Sequence, residues 1–299
     1  MNNPRVIVVA KRSLFSQALN GEGDPRVREL LKKDDPSVKK WLSAHDQHKR
    51  TLDAVLNALT KLGVTPLVLR GAHAAFDPRG AQLVVAVGGD GTLLAASHSV
   101  VDVPILGVNS SPRHSVGFFC AARRTGIAQT LERALAGRLP SVSLTRMRVR
   151  HSGQVRSQRV LNDALYCHES PAATSRYILR HGNSKEEQRS SGFWIGPAAG
   201  STAALRSAGG KVLPLTSTKL QLVVREPYVP KSQRMKLTRI EVSPQGRITV
   251  QSKMQDAGIY LDGPYQKIPV RLGEVTTFEV SDQPLTVLGL SKNRERTAR

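Results

Sequence analysis

Val84-Val85-Ala86-Val87-Gly88-Gly89-Asp90-Gly91-Thr92-Leu93-Leu94 decides how this chain is read. An apolar run of strand length ends in glycines around one aspartate, and a helical stretch starts near Thr92. Glycine allows a tight turn and the close approach of a ligand to the backbone. N–H groups at a helix start attract phosphate. Gly88, Gly89, Gly91 and Thr92 are therefore candidate phosphate-binding residues. Asp90 would repel a phosphate, so it suits a proton acceptor or a magnesium partner. The pattern points to phosphoryl transfer onto a hydroxyl. A plain strand–turn–helix connection with an aspartate cap is the alternative.

Working outward, strands alternate with helices. Val6–Ala10, Pro66–Leu69, Leu83–Val87 and Val103–Val108 read as strands. Leu52, Val55, Leu56, Leu59 and Leu62 recur at helical spacing, and Gly63 ends that helix. Ile127, Leu131, Ala134 and Leu135 mark another, closed by Gly137. Lys32-Lys33-Asp34-Asp35-Pro36 reads as a break. This alternation predicts a doubly wound α/β domain with a parallel sheet over residues 1–140. Ligands of such sheets bind beyond the strands' C-terminal ends, where the Gly88–Thr92 turn falls.

From residue 141 to 275 the chain is rich in short β-forming runs. Leu144–Arg150, Val155–Tyr166, Tyr177–Arg180, Lys219–Arg225 and Arg247–Gln251 are examples, with turns at His181-Gly182-Asn183 and Asp262-Gly263. A second, mostly β domain follows from them. Residues 276–299 read as a return segment, with a β run at Thr276–Val280, and a basic tail of Lys292, Arg294, Arg296 and Arg299.

Composition narrows the function classes. The 299 residues carry a net charge of +21, and aromatics are only 4%. Such an excess fits steering of polyanionic substrates or a general arginine bias. With little aromatic interleaving, no specific nucleic-acid binding is expected. Two cysteines, Cys120 and Cys167, without metal-ligand spacing favour a reducing, cytoplasmic setting over a disulfide or zinc framework. No run approaches the ~20 apolar residues of a membrane span. The five-residue run Val6–Ala10 is too short for a signal-peptide core. His45 and His48 share a helix face and are expected to point into solvent.

A second constellation lies at Gly200-Ser201-Thr202-Ala203. Its glycine, amides and hydroxyls could hold a ribose or phosphate, which makes Gly200 and Ser201 candidate phosphate ligands. Helix capping is the simpler reading. No Walker A sequence and no esterase elbow occur.

Taken in order, four landmarks resemble the NAD kinase family. They are Gly88-Gly89-Asp90-Gly91-Thr92; Gly107-Val108-Asn109 with Gly117-Phe118; Leu161-Asn162-Asp163; and Gly200-Ser201-Thr202-Ala203 with Ser207-Ala208-Gly209-Gly210. The resemblance implies an ATP-dependent kinase that phosphorylates the 2′-hydroxyl of NAD, or of NADH. It implies a divalent cation such as Mg²⁺, and a homodimer or larger assembly. It assigns Asp90 as the proton acceptor, with Gly91 beside it. Asn162 is implied to contact the adenylate part of the substrate, with Asp163 next to it. Arg189, Thr202, Ala203 and Ser207 match other substrate-lining positions, and Phe118 an aromatic near the adenine. The dinucleotide is expected between the glycine turn and the β domain.

The chain also departs from the family pattern. Asp163 stands where glutamate is common, Ala204 replaces a tyrosine, and Pro264 a glutamine. Ser191 replaces an aspartate near the nicotinamide end of the substrate. Ser190-Ser191-Gly192, the long segment before Ala44, and Pro112 with Ser115 look similar to the mitochondrial-type branch. A lipid or sugar kinase sharing only the first landmark is one alternative, and a non-catalytic dinucleotide-binding protein is another.

Overall fold

The computed structural model describes residues 5–20, 23–71, 75–231 and 234–291. The basic tail therefore lies outside the described residues. The chain forms two compact units, one to Val142 plus Thr286–Ser291, the other spanning Ser143–Leu285.

In the first unit β1 (Val6–Ala10) is followed by α1 (Leu14–Ala18), α2 (Pro25–Lys32) and α3 (Pro36–Lys61). Then come β2 (Leu67–Arg70), β3 (Leu83–Gly88), α4 (Asp90–Ser97), β4 (Ile105–Asn109), β5 (Cys120–Arg123), α5 (Ile127–Leu135) and β6 (Ser141–Leu144). Strands β2, β1, β3 and β4 lie side by side and parallel. Every residue of β1, β3 and β4 is buried, as expected of a sheet covered by helices on both faces. Leu52, Val55 and Leu59 of α3 and Leu131 of α5 cover one face.

Helix α3 starts sixteen residues before Leu52, the first position of its apolar stripe. In its first twelve residues only Val38 is buried, so the stripe gives no sign of that half. Its start is set by capping: Asp35 accepts from the Ser37 amide at 2.9 Å, and Pro36 supplies a preset φ.

The second unit contains β7 (Met147–His151), β8 (Gln154–Val160), β9 (Ala164–His168), β10 (Ser175–His181), β11 (Ser184–Ser190) and β12 (Phe193–Pro197). A short 3₁₀ turn (Ala198–Thr202) and α6 (Ala204–Ser207) follow. The remaining strands are β13 (Leu220–Val224), β14 (Arg239–Val242), β15 (Arg247–Ser252), β16 (Ala257–Leu261), β17 (Gln266–Val270) and β18 (Val275–Val280). They make two six-stranded antiparallel sheets, ordered β11-β10-β15-β18-β7-β8 and β14-β13-β12-β9-β16-β17. The sheets share one core. Tyr166 stacks on Phe193 at 5.1 Å, and Tyr177 and Phe278 meet Phe193 edge-on or tilted. These aromatics are few but concentrated where burial stabilises most.

Two runs read as single strands are each broken. Leu144–Arg150 divides at Thr145-Arg146, where the fully buried Arg146 donates to the carbonyls of Gln283 and Pro284. Val155–Tyr166 divides at Leu161-Asn162-Asp163. The return to the first sheet is shorter than the expected 276–299 segment. Thr276–Val280 belongs to β18 of the second unit, and only β19 (Leu285–Leu288) pairs with β4. No helix among the described residues is long and apolar enough to cross a membrane.

Candidate functional site

The glycine turn sits at the C-terminal edge of the parallel sheet. Gly88 is still in β3, and α4 begins at Asp90 with Gly89 as its cap, two residues before the Thr92 start suggested by sequence. The turn is tight because two side chains occupy the space a Cβ would need. Thr92 packs against Gly88 and the Ser115 hydroxyl against Gly89. Gly91 is exposed with open space around it. No side chain caps the start of α4, which leaves a helix N-terminus suited to phosphate.

Asp90 is half-buried, and its Oδ1 accepts from the Phe119 amide at 2.8 Å. The segment after β4 makes that bond possible. Asn109 donates from Nδ2 to the Ser115 carbonyl and accepts on Oδ1 from the Ser111 amide. Its side chain fills the space beside Gly117, whose φ of +63° favours glycine. Phe118 itself is 3% exposed, with its ring 5.1 Å from that of Phe119. It is a packed residue here, not an open stacking face for adenine.

Sequence reasoning missed the cations that follow the first strand. The Lys11 amide donates to the Val87 carbonyl at 3.1 Å, one residue before Gly88. Lys11, Arg12, Lys49 and Arg70 line a cavity of about 350 Å³. Burial lowers the Lys11 ammonium below its usual range. Burial, reinforced by the Lys11 charge, pushes His48 down to about 4. So His48 is a neutral buried ring, not a surface group. A Lys-Arg pair directly after the first strand was the available signal, since strand C-termini are where such folds bind ligands.

In the second unit the strand break at Leu161–Asp163 is held by Asp262. Its carboxylate accepts from the amides of Leu161 (2.9 Å), Asn162 (2.7 Å) and Asp163 (3.1 Å). The Asp262 amide donates back to the Asp163 carbonyl at 2.9 Å. The sequence showed Asp262 only as a turn residue, and its φ of +50° fits that turn. Gly196 and Gly200 lie against the Asn162 carbonyl, and a Cβ at either would overlap it. Gly200 is therefore explained by backbone packing rather than by a phosphate. Ser201 is fully buried, its hydroxyl donating to the Ala198 carbonyl and accepting from the Leu213 amide, so its hydrogen bonds are made within the protein. Thr202 and Ala203 are half-buried beside it. Ser207 is exposed, and so is Arg189 on β11.

Asp163 and Ser191 share one cavity of about 500 Å³, together with Arg225, Trp194 and Tyr260. Arg225 donates to the Ser191 carbonyl at 3.2 Å. The Asn162 side-chain amide donates to Asp163 at 2.7 Å. Burial, with the Asp262 charge added, raises the Asp163 carboxyl to about 7. A carboxyl raised from 3.8 to about 7 holds its proton in the native state where the unfolded chain has lost it. Its contribution to stability is thus present below about pH 4 and is lost as pH rises to about 7. Asp163→Asn removes that loss. Melting temperatures between pH 5 and 8 should fall less with pH in the variant than in the wild type. Parallel profiles would show that Asp163 is ionised throughout. The His48 effect, of opposite sign, is common to both proteins and cancels.

Comparison with known proteins matches these features. Residues 26–139 match the ATP-NAD kinase N-terminal domain. A "Probable NADH kinase" of Oryza sativa subsp. japonica is 32% identical over 88% of each chain. The "NADH kinase" of Arabidopsis thaliana is 34% identical over 86% of this chain and 88% of its own. Human mitochondrial NAD kinase 2 is 35% identical over 39% of this chain. The fold matches that of an Archaeoglobus fulgidus NAD kinase crystallised with ATP, with a TM-score of 0.65, 21% identity, and 95% of this chain and 92% of that one covered. It also matches yeast NADH kinase crystallised with NADH, with a TM-score of 0.68, 12% identity, and coverage of 98% and 86%. The chain belongs to the NAD kinase family.

Proposed function

We propose that this chain transfers the γ-phosphoryl group of ATP to the 2′-hydroxyl of the adenosine ribose of NAD or NADH, with Asp90 as proton acceptor. The bond between the 2′-oxygen and the γ-phosphorus forms as the bond to the β-phosphate oxygen breaks. ADP leaves, and the hydroxyl proton passes to the Asp90 carboxylate. Such transfer needs positioning and charge neutralisation more than covalent chemistry. The observation that carries the reading is the Phe119 bond to Asp90, which fixes a carboxylate at the start of an uncapped helix. Gly89 and Gly91 then present backbone to the donor phosphates, and Lys11, Arg12 and Arg70, which line a separate cavity after the first strand, add positive charge to the same unit. In the second unit, Asn162 and Asp163 are proposed for the substrate's adenylate and ribose, with Thr202 and Ala203 nearby.

Mg²⁺ fits this donor set. The described residues hold no cluster of three metal-ligating side chains. Mg²⁺ bound to phosphates needs only one or two carboxylates, and keeps several waters. The donor phosphates would carry the ion and Asp90 would reach it through one of its waters, so that the ion neutralises phosphate charge and leaves the second Asp90 oxygen free for the hydroxyl.

Asp90→Asn should lower kcat by about 10²- to 10⁴-fold in an assay with ATP and NADH or NAD. Melting temperature should barely move, because an amide oxygen still accepts from Phe119. A variant that keeps more than about a tenth of wild-type kcat would remove Asp90 from the base role.

The nicotinamide end gives a second test. Ser191 provides no negative charge there, Arg225 adds a positive one to the same cavity, and the cavity's Glu169 is paired with Lys267 at 2.8 Å. That arrangement suits the neutral ring of NADH better than the cationic ring of NAD. The rice and Arabidopsis relatives bear the name NADH kinase, whereas a Methanospirillum hungatei relative matching over 90% of this chain is named NAD kinase. Ser191→Asp should shift the NAD-to-NADH ratio of kcat/KM toward NAD by about fivefold, from an interaction on the order of 1 kcal/mol. An unchanged ratio would place Ser191 away from the ring.

A further inference from the structure

A larger cleft, of about 820 Å³, opens elsewhere in the first unit. It is bounded by the N-terminal half of α3, the segment after β4 and the end of β5. Five cationic side chains line it: Lys39 and Arg50 from α3, Arg113 from the loop, and Arg123 and Arg124 from the β5 end. Two carboxylates, Asp34 and Asp46, oppose them, and Asp34 is already paired with Lys39 at 2.6 Å. Among the described residues, Arg50, Arg113, Arg123 and Arg124 make no ion pair with a carboxylate.

Four unpaired guanidinium groups around one concavity repel each other and concentrate positive potential. An anion relieves that repulsion. The guanidinium fork matches phosphate oxygens two at a time, and with Asp34 taken by Lys39 the four arginines outnumber the one remaining carboxylate, Asp46. The apolar lining amounts to Leu42 and Pro112, with no aromatic side chain. A nucleobase would find no stacking platform there. The chemistry selects a chain of phosphates without a base.

We propose that this cleft binds an inorganic oligophosphate, at residues distinct from those assigned to phosphoryl transfer. It does not rest on the kinase reading, since binding is measured directly. The cleft still has a route to the glycine turn. Ser110 lines the cleft, its amide donates to the Gly88 carbonyl at 2.8 Å, and its carbonyl accepts from Thr51 Oγ1 at 3.1 Å. Ser111 Oγ donates to Gln47 of α3 at 3.2 Å. An occupant therefore bears on the loop that also packs against the turn.

Calorimetric titration of tripolyphosphate into the full chain, at low salt and without nucleotide or metal, tests this. Arg123→Ala/Arg124→Ala should weaken binding by about tenfold or more, given charge-assisted bonds lost from two guanidinium groups. Arg113→Ala, on an exposed loop position, should weaken it by about threefold and covers the case in which the double variant misfolds. Steady-state KM for ATP should stay within about twofold of wild type in both. Unchanged tripolyphosphate affinity in correctly folded variants would overturn the proposal. An equal loss of affinity for a non-hydrolysable ATP analogue, or a tenfold rise in KM for ATP, would assign the cleft to the nucleotide donor and overturn it as well.

Discussion

The hydrogen bond from the Phe119 amide to the Asp90 carboxylate, 2.8 Å long, is the constraint on which the rest of the first unit turns. A carboxylate at a helix start would otherwise rotate among rotamers, each solvated differently. Fixing it requires the segment after β4 to fold back over the turn, and that approach is what the glycines permit. Gly89 admits the Ser115 hydroxyl, Gly107 admits the backbone of Phe119 and Cys120, and Gly117 takes a left-handed conformation against Asn109. Glycines distant in sequence thus serve one purpose: they let two backbone segments close around one acid.

The second unit uses a carboxylate in a different way. Asp262 accepts from three successive backbone amides, and it holds open a gap in what would otherwise be one long strand. Asn162 projects from that gap, and Gly196 and Gly200 are small because its carbonyl lies on them. Asp163 is forced into a buried site near a second negative charge, which favours its neutral form. A shorter acid than the family's usual glutamate here sits beside a fixed carboxylate, within a cavity whose other charged groups include Arg225.

The parallel sheet was legible because its strands are continuous apolar runs, each followed by a turn signal. Asp90 was legible because an acid flanked by glycines has few structural explanations. Less visible were elements whose cause lies far away in the chain. Strand β11, Ser184–Ser190, is polar and mostly exposed, and pairs only with β10, so it has no alternating apolar pattern. Strand β12 contains Gly196 and Pro197, residue types that weaken a strand pattern. The first half of α3 lacks an apolar stripe, and only its cap marks it. The Asp262 clamp joins residues about a hundred positions apart, and no local pattern shows it. Gly200 and Ser201 read either as a helix cap or as ligand contacts, and Phe118 as an adenine neighbour only through the family resemblance. Burial gives each a packing role that the local motif does not show.

What unites these features is the claim that one fixed carboxylate receives the proton of a ribose hydroxyl. A crystal structure of the chain with NADH and a non-hydrolysable ATP analogue tests that claim most directly. The account predicts an Asp90 carboxylate oxygen within about 2.6–3.2 Å of the adenosine 2′-oxygen, or linked to it by one water. It predicts that the other carboxylate oxygen still accepts from Phe119. A 2′-hydroxyl turned away from Asp90 and bonded to another side chain would contradict it.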